Sequence, residues 1–168
     1  METKRFVAAG RTAWDRVGDG VLVVVLFAAS LALYVHTLAP SVATLFDDSL
    51  EFPLVSYRLG IAHPTGYPLY TLLGKLFTLG PWRNVGWSVN LLSAVAGALT
   101  VALVYLIVRE LVRRRWPALL GAVSLAVSPV FWSQSVISEV YSLNSAFVAA
   151  LLWLALRWAR QPLTPVQP

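Results

Sequence analysis

The sequence predicts an all-α fold: a polytopic transmembrane bundle of about four spans, with two interfacial helices in its first outer loop. Three observations carry this. Of the 168 residues, 58% are hydrophobic and only 12% charged, with mean hydropathy +0.69; soluble domains carry roughly 25% charged residues. Uncharged apolar runs of about twenty residues recur along the chain, long enough at 1.5 Å per residue to cross a hydrocarbon core of about 30 Å. Basic residues gather at the ends of those runs. The net charge of +5 therefore reads as topology and contact with anionic lipid, not as nucleic-acid binding. With no cysteine, disulfides and thiolate metal sites are excluded.

Residues 1–18 form a basic N-terminus with Lys4, Arg5, Arg11 and Arg16. The membrane domain follows over 19–158. Its first span, 21–39, is nineteen residues without a charge, longer than the roughly 7–15 apolar residues of a signal peptide, and reads as a retained anchor. Further spans are expected over 88–108, 117–136 and 140–158, the third entered through Pro117, whose missing N–H costs little in a first turn. A Pro-rich tail occupies 159–168. Ten basic residues flank one side of these spans, and three (Arg58, Lys75 and Arg83) fall in the loop 40–87 on the other. The positive-inside rule then puts both termini in the cytoplasm of a multi-pass protein, expected in a bacterial inner membrane.

The loop 40–87 reads as two short helices joined by an elbow. Phe52, Val55 and Leu59 share a helical face, predicting an amphipathic helix over about 49–59 that ends as Gly60 takes the left-handed C′ position. "HPTGYP", residues 63–68, is a turn. Leu69, Leu72, Leu73, Leu76 and Phe77 then recur at helical spacing, predicting a helix over about 67–79, too short to span and interrupted by Lys75.

The acids of this loop admit two readings. "DSLE", Asp48 to Glu51, fits a capping box, and acids suit a helix N-terminus. Pro53 weakens that reading, because with Asp48 as cap it falls beyond the first turn. Alternatively Asp47, Asp48 and Glu51 crowd within one turn at a membrane face, where desolvation and mutual repulsion suit a general base. Arg58 and His63 would then hold an anionic phosphate, and Glu139 would join from a second outer turn. No His/Cys cluster supports zinc. A hard divalent cation is compatible with the carboxylates but not indicated, and no metal ligand is assigned.

"DSLEFPLVSYRLGIAHPTGYPLYTLLGKLF", "NLLSAVAGALT" and "FWSQSVISEVYSLN" resemble a bacterial and animal family of polytopic membrane proteins related to protein O-mannosyltransferases, within the GT-C superfamily of glycosyltransferases. The resemblance covers about Asp48 to Trp158. It implies a first outer loop with a catalytic carboxylate, Asp48 or Glu51, with Asp47 as the other member of an acidic pair. It implies an elbow formed by His63, Pro64, Gly66 and Tyr67, and a second motif at Glu139, Tyr141 and Asn144. It implies an inverting transferase that passes a sugar, mannose by analogy, from a polyprenyl-phosphate donor to Ser or Thr hydroxyls of a protein acceptor at the outer face. Arg58, His63, Tyr67, Glu139, Tyr141 and Asn144 are the expected substrate contacts, and no cofactor is required. Members of the superfamily carry more than four spans, so further segments beyond this chain are expected partners. The alternative is a non-catalytic scaffold or truncated remnant whose acids only cap a helix.

Overall fold

The computed structural model describes residues 13–43 and 47–160; Lys4, Arg5, Arg11 and the tail from 161 lie outside them. Seven helices run through the described residues: α1 Ala13–His36, α2 Asp47–Arg58, α3 Pro68–Thr78, α4 Val85–Val112, α5 Arg115–Ala126, α6 Pro129–Ser135 and α7 Val140–Trp158. The fold is all-helical. Val17–His36, α4 and α7 are each long and apolar enough to cross a membrane, and α5 with α6 makes a fourth span if the bent pair counts as one. The chain is a multi-pass membrane protein.

α4 is the axis of the bundle. Its apolar window is 67% buried, against 22% for α1 and 17% for α7, so the outer helices keep their apolar faces for lipid. Small residues on α4 let its neighbours close in. A Cβ on Gly97 would collide with the Ser135 side chain of α6 and come within 3.3 Å of the Tyr34 ring of α1. Asn84 caps α4 by accepting the Trp87 N–H at 2.9 Å.

The third apolar stretch is not one straight helix. α5 and α6 meet at a bend of 62°, where Pro129 opens α6 and has no N–H with which to continue α5. The buried Tyr34 hydroxyl donates to the freed Ala126 carbonyl at 3.0 Å, so α1 braces the break.

Asp19, which the reading of spans and basic ends passed over, joins three helices. Its Oδ1 accepts from the Tyr105 hydroxyl at 2.9 Å, Arg109 Nε at 3.1 Å and Arg115 Nε at 2.9 Å. Two of the basic residues at the ends of the apolar runs are therefore turned onto a carboxylate only 4% exposed.

α2 and α3 fold back as a hairpin against α4. Phe52 and Val55 are buried with Ala62, Tyr70, Val89 and Leu92. Leu59 leaves the expected stripe. It takes the left-handed conformation itself, at φ 54, and is 54% exposed. The Gly60 N–H bonds to the Val55 carbonyl at 2.8 Å, so Leu59 is C′ and Gly60 C″ of a Schellman ending. α2 also begins at Asp47, earlier than the expected 49, which puts Pro53 well inside it. α3 turns Tyr70, Thr71 and Gly74 inward while Leu69, Leu72 and Leu76 face out. Its leucine stripe thus meets the surroundings, and bare Gly74 lies against Ser56 of α2, whose Cβ is 2.8 Å from where a glycine Cβ would stand.

Candidate functional site

The acids of the first loop meet the turn before α7. Asp48 and Glu51 are within the first turn of α2, and the elbow after α2 brings His63 back over them. Glu51 Oε1 accepts the His63 backbone N–H at 2.9 Å and Oε2 contacts His63 Nδ1 at 2.5 Å. The hydrogen bond from His63 holds the Glu51 carboxyl below its usual range, and the same bond raises the His63 imidazole above its own. Tilted and edge contacts of His63 and Tyr67 with Phe52, at 6.0 and 5.5 Å between centroids, seat the elbow. His63 Nε2 stands 3.9 Å from Asp48 Oδ1, a through-space attraction without a hydrogen bond.

Glu139 comes from the other side. It occupies the N-cap position of α7 yet makes no side-chain cap; Oε1 accepts the Ser49 hydroxyl at 2.9 Å. Its backbone is pinned to Ser93 of α4, whose hydroxyl donates to the Glu139 carbonyl at 3.2 Å. The carboxyl is 3% exposed, and burial above all, then the nearby Asp48 charge, pushes its pKa up. Asn90 secures the same end of the bundle: its amide donates to the Ala39 and Ser41 carbonyls at 3.0 and 2.9 Å, and its oxygen accepts the Ser138 hydroxyl at 2.5 Å.

A cavity of about 730 Å³ opens between these acids and α6, within the range of small-molecule sites. Asp48, Glu139, Phe131, Gln134, Ser142 and Ser145 are among the residues that line it. Tyr141 lines it and also lines a second, apolar groove of about 330 Å³ with Tyr67, Tyr70, Asn144 and Phe147.

Residues 48–167 match the family profile described as the Protein O-mannosyl-transferase TMEM260 N-terminal domain. The chain belongs to this family. It is 35% identical over 141 residues to the Protein O-mannosyl-transferase tmem260 of Dictyostelium discoideum, covering 82% of this chain and 17% of that protein. It is 38% identical over 152 residues to the Protein O-mannosyl-transferase TMEM260 of Mus musculus, covering 90% of this chain and 21% of that protein. The chain thus spans about a fifth of the length of these relatives. No solved structure matches it.

Within this TMEM260 N-terminal domain the sequence-derived residues separate. Asp48, Glu51, His63 and Glu139 converge. Tyr141 borders both cavities; Tyr67 and Asn144 reach only the groove. Arg58 lines neither: it is exposed at the far end of α2, about two turns beyond Glu51. The Asp47 side chain lies outside the described residues. The capping-box pairing of Glu51 gives way to His63, which takes both of its oxygens. Donor atoms of Asp48, Glu51 and His63 lie within 4.8 Å of one another, close enough to gather round a cation. Glu51 and His63 spend their nearest atoms on each other, however, so a cation would have to compete with that bond. Ser49, Gln134, Ser142 and Ser145 were not singled out from sequence. Serines carry no periodic signal, and only the fold shows which ones face the acids.

Proposed function

We propose that this chain is the acid-bearing module of a protein O-mannosyltransferase working at the outer membrane face. Asp48 is the base. It takes the proton of a Ser or Thr hydroxyl on the acceptor protein. That oxygen bonds to the anomeric carbon of mannose, with inversion, as the bond from that carbon to the phosphate oxygen of a polyprenyl-phosphate donor breaks. The lipid phosphate departs with the bonding electrons. A protonated His63 beside Asp48 offsets negative charge at this step. Glu51 holds His63 and Glu139 holds the floor of the site through Ser49; these are positioning residues.

The single observation that carries this reading is the unequal engagement of the two first-loop acids. Glu51 is committed to His63 through both oxygens, whereas Asp48 opens onto the cavity. A base must be free to reach its proton. The test is mannose transfer in membranes containing the full-length protein. Asp48→Asn should lower transfer by about a hundredfold or more at unchanged protein level, and Glu51→Gln should lower it less. Normal transfer by Asp48→Asn would remove the assignment.

A further inference from the structure

We propose that Gln134 is a specificity-determining residue that reads a hydroxyl of the sugar head group in the 730 Å³ cavity. The inference rests on the transferase reading above and names the part of the cavity that would recognise the donor's sugar.

The first argument is the bend between α5 and α6. Interrupted helix at membrane depth is tolerated where the freed backbone is buried in protein or lines a cavity, and broken spans recur at binding sites. Both conditions are met here. Tyr34 takes the Ala126 carbonyl, and the piece beyond the bend supplies Ser128, Val130, Phe131 and Gln134 to the same cavity that Asp48 and Glu139 line. A straight continuation of α5 would carry these residues elsewhere.

The second is the state of the Gln134 amide. Its Oε1 is buried and has no hydrogen-bond partner, although the Gln134 backbone carbonyl accepts the Ser142 hydroxyl at 2.9 Å. Buried side-chain oxygens ordinarily find a partner. No bond within the fold fixes this oxygen, and the oxygen and NH₂ of an amide have nearly the same shape. A half turn about the last torsion exchanges the two, so this residue of the cavity lining can offer a ligand either an acceptor or a donor. A sugar hydroxyl, itself both donor and acceptor, suits such a group.

The third is the character of the wall. Among the described residues, those lining the cavity include two acids, serines, Phe131 and Tyr141, and no lysine or arginine. This lining repels a phosphate. It suits a neutral ring with hydroxyls on its rim and an apolar face to lie against an aromatic side chain. The donor's phosphate belongs outside the cavity, toward His63.

The test is equilibrium binding of polyprenyl-phosphate mannose, its monodeoxy analogues and bare polyprenyl phosphate to the purified full chain in nanodiscs. The wild type should bind one monodeoxy analogue about tenfold more weakly than the mannose donor, the worth of one hydrogen bond. Gln134→Leu should bind the mannose donor about tenfold more weakly, show no further loss with that analogue, and bind bare polyprenyl phosphate as the wild type does. Gln134→Asn, whose amide is one methylene short, makes the same comparison if the leucine variant does not fold. Wild-type discrimination in either folded variant overturns the inference and leaves the transferase reading standing. A wild type that binds mannosyl and bare lipid alike also overturns it. Asp48→Asn with normal transfer removes the base assignment without touching Gln134.

Discussion

The side chain of Glu51 holds His63 at two points, one oxygen on the backbone N–H at 2.9 Å and the other on Nδ1 at 2.5 Å. The elbow "HPTGYP" is thereby fastened to the first turn of α2, twelve residues earlier. The fastening is ionic only while Glu51 is charged and His63 protonated.

That condition sets a pH window. The Glu51 pKa is lowered from 4.5, so its contribution is present above 4.5 and lost as pH falls through the lowered value. The His63 pKa is raised from 6.5, so its contribution is complete below 6.5 and lost as pH rises through the raised value. Melting temperatures of the wild type and Glu51→Gln should differ most between these two limits and converge on either side. A constant difference at every pH would show the contact to be uncharged.

Glu139 should behave in the opposite sense to Glu51. Its raised pKa means that its contribution is present below 4.5 and lost as pH rises through the raised value. Glu139→Gln, which imitates the protonated acid, should remove that loss and leave stability at neutral pH equal or higher. Ser49→Ala should cost about 1 kcal/mol through the lost hydrogen bond. Thermal melts at acid and neutral pH check both.

Asp19→Ala should be among the most damaging substitutions at the end of the bundle away from the cavity. It leaves the 5%-exposed Arg109 without its buried partner, a change that costs about 3–5 kcal/mol. Arg115→Ala should cost less, because the Arg115 side chain is 39% exposed. Denaturant titration in detergent would rank the two; equal losses would contradict the assignment of Asp19 as the shared anchor.

Two glycines offer a paired test of packing. Gly97→Ala puts a methyl into Ser135 and toward Tyr34, an overpacking expected to cost about 1–3 kcal/mol. Gly20→Ala meets nothing within 4 Å and should gain about 0.5–1 kcal/mol from better helix propensity. Opposite shifts in melting temperature are the expected outcome.

Helices announce themselves by period and length, so the apolar segments and the short helices of the first loop were legible from residue order. Partners distant in sequence were not. Arg109 and Arg115 look like loop arginines until Asp19, 90 and 96 residues away, is placed beside them. The bend in the third apolar stretch had only Pro129 to mark it, and its brace, Tyr34, lies 92 residues away from Ala126. Asp48, Glu51 and His63 could be grouped because one turn and one elbow separate them. That Glu51 is occupied while Asp48 is open could not, because both are acids on the same helical turn. Arg58 was grouped with them by proximity in sequence, and the direction of α2 carries it off.

α1 lies outside the span 48–167 that defines the family, yet its Tyr34 steadies the bend from which Gln134 hangs. It acts as a mast stay for a spar it does not belong to. A fragment trimmed to the family boundaries would keep the described residues that line the cavity and lose the rigging that aims one of its walls.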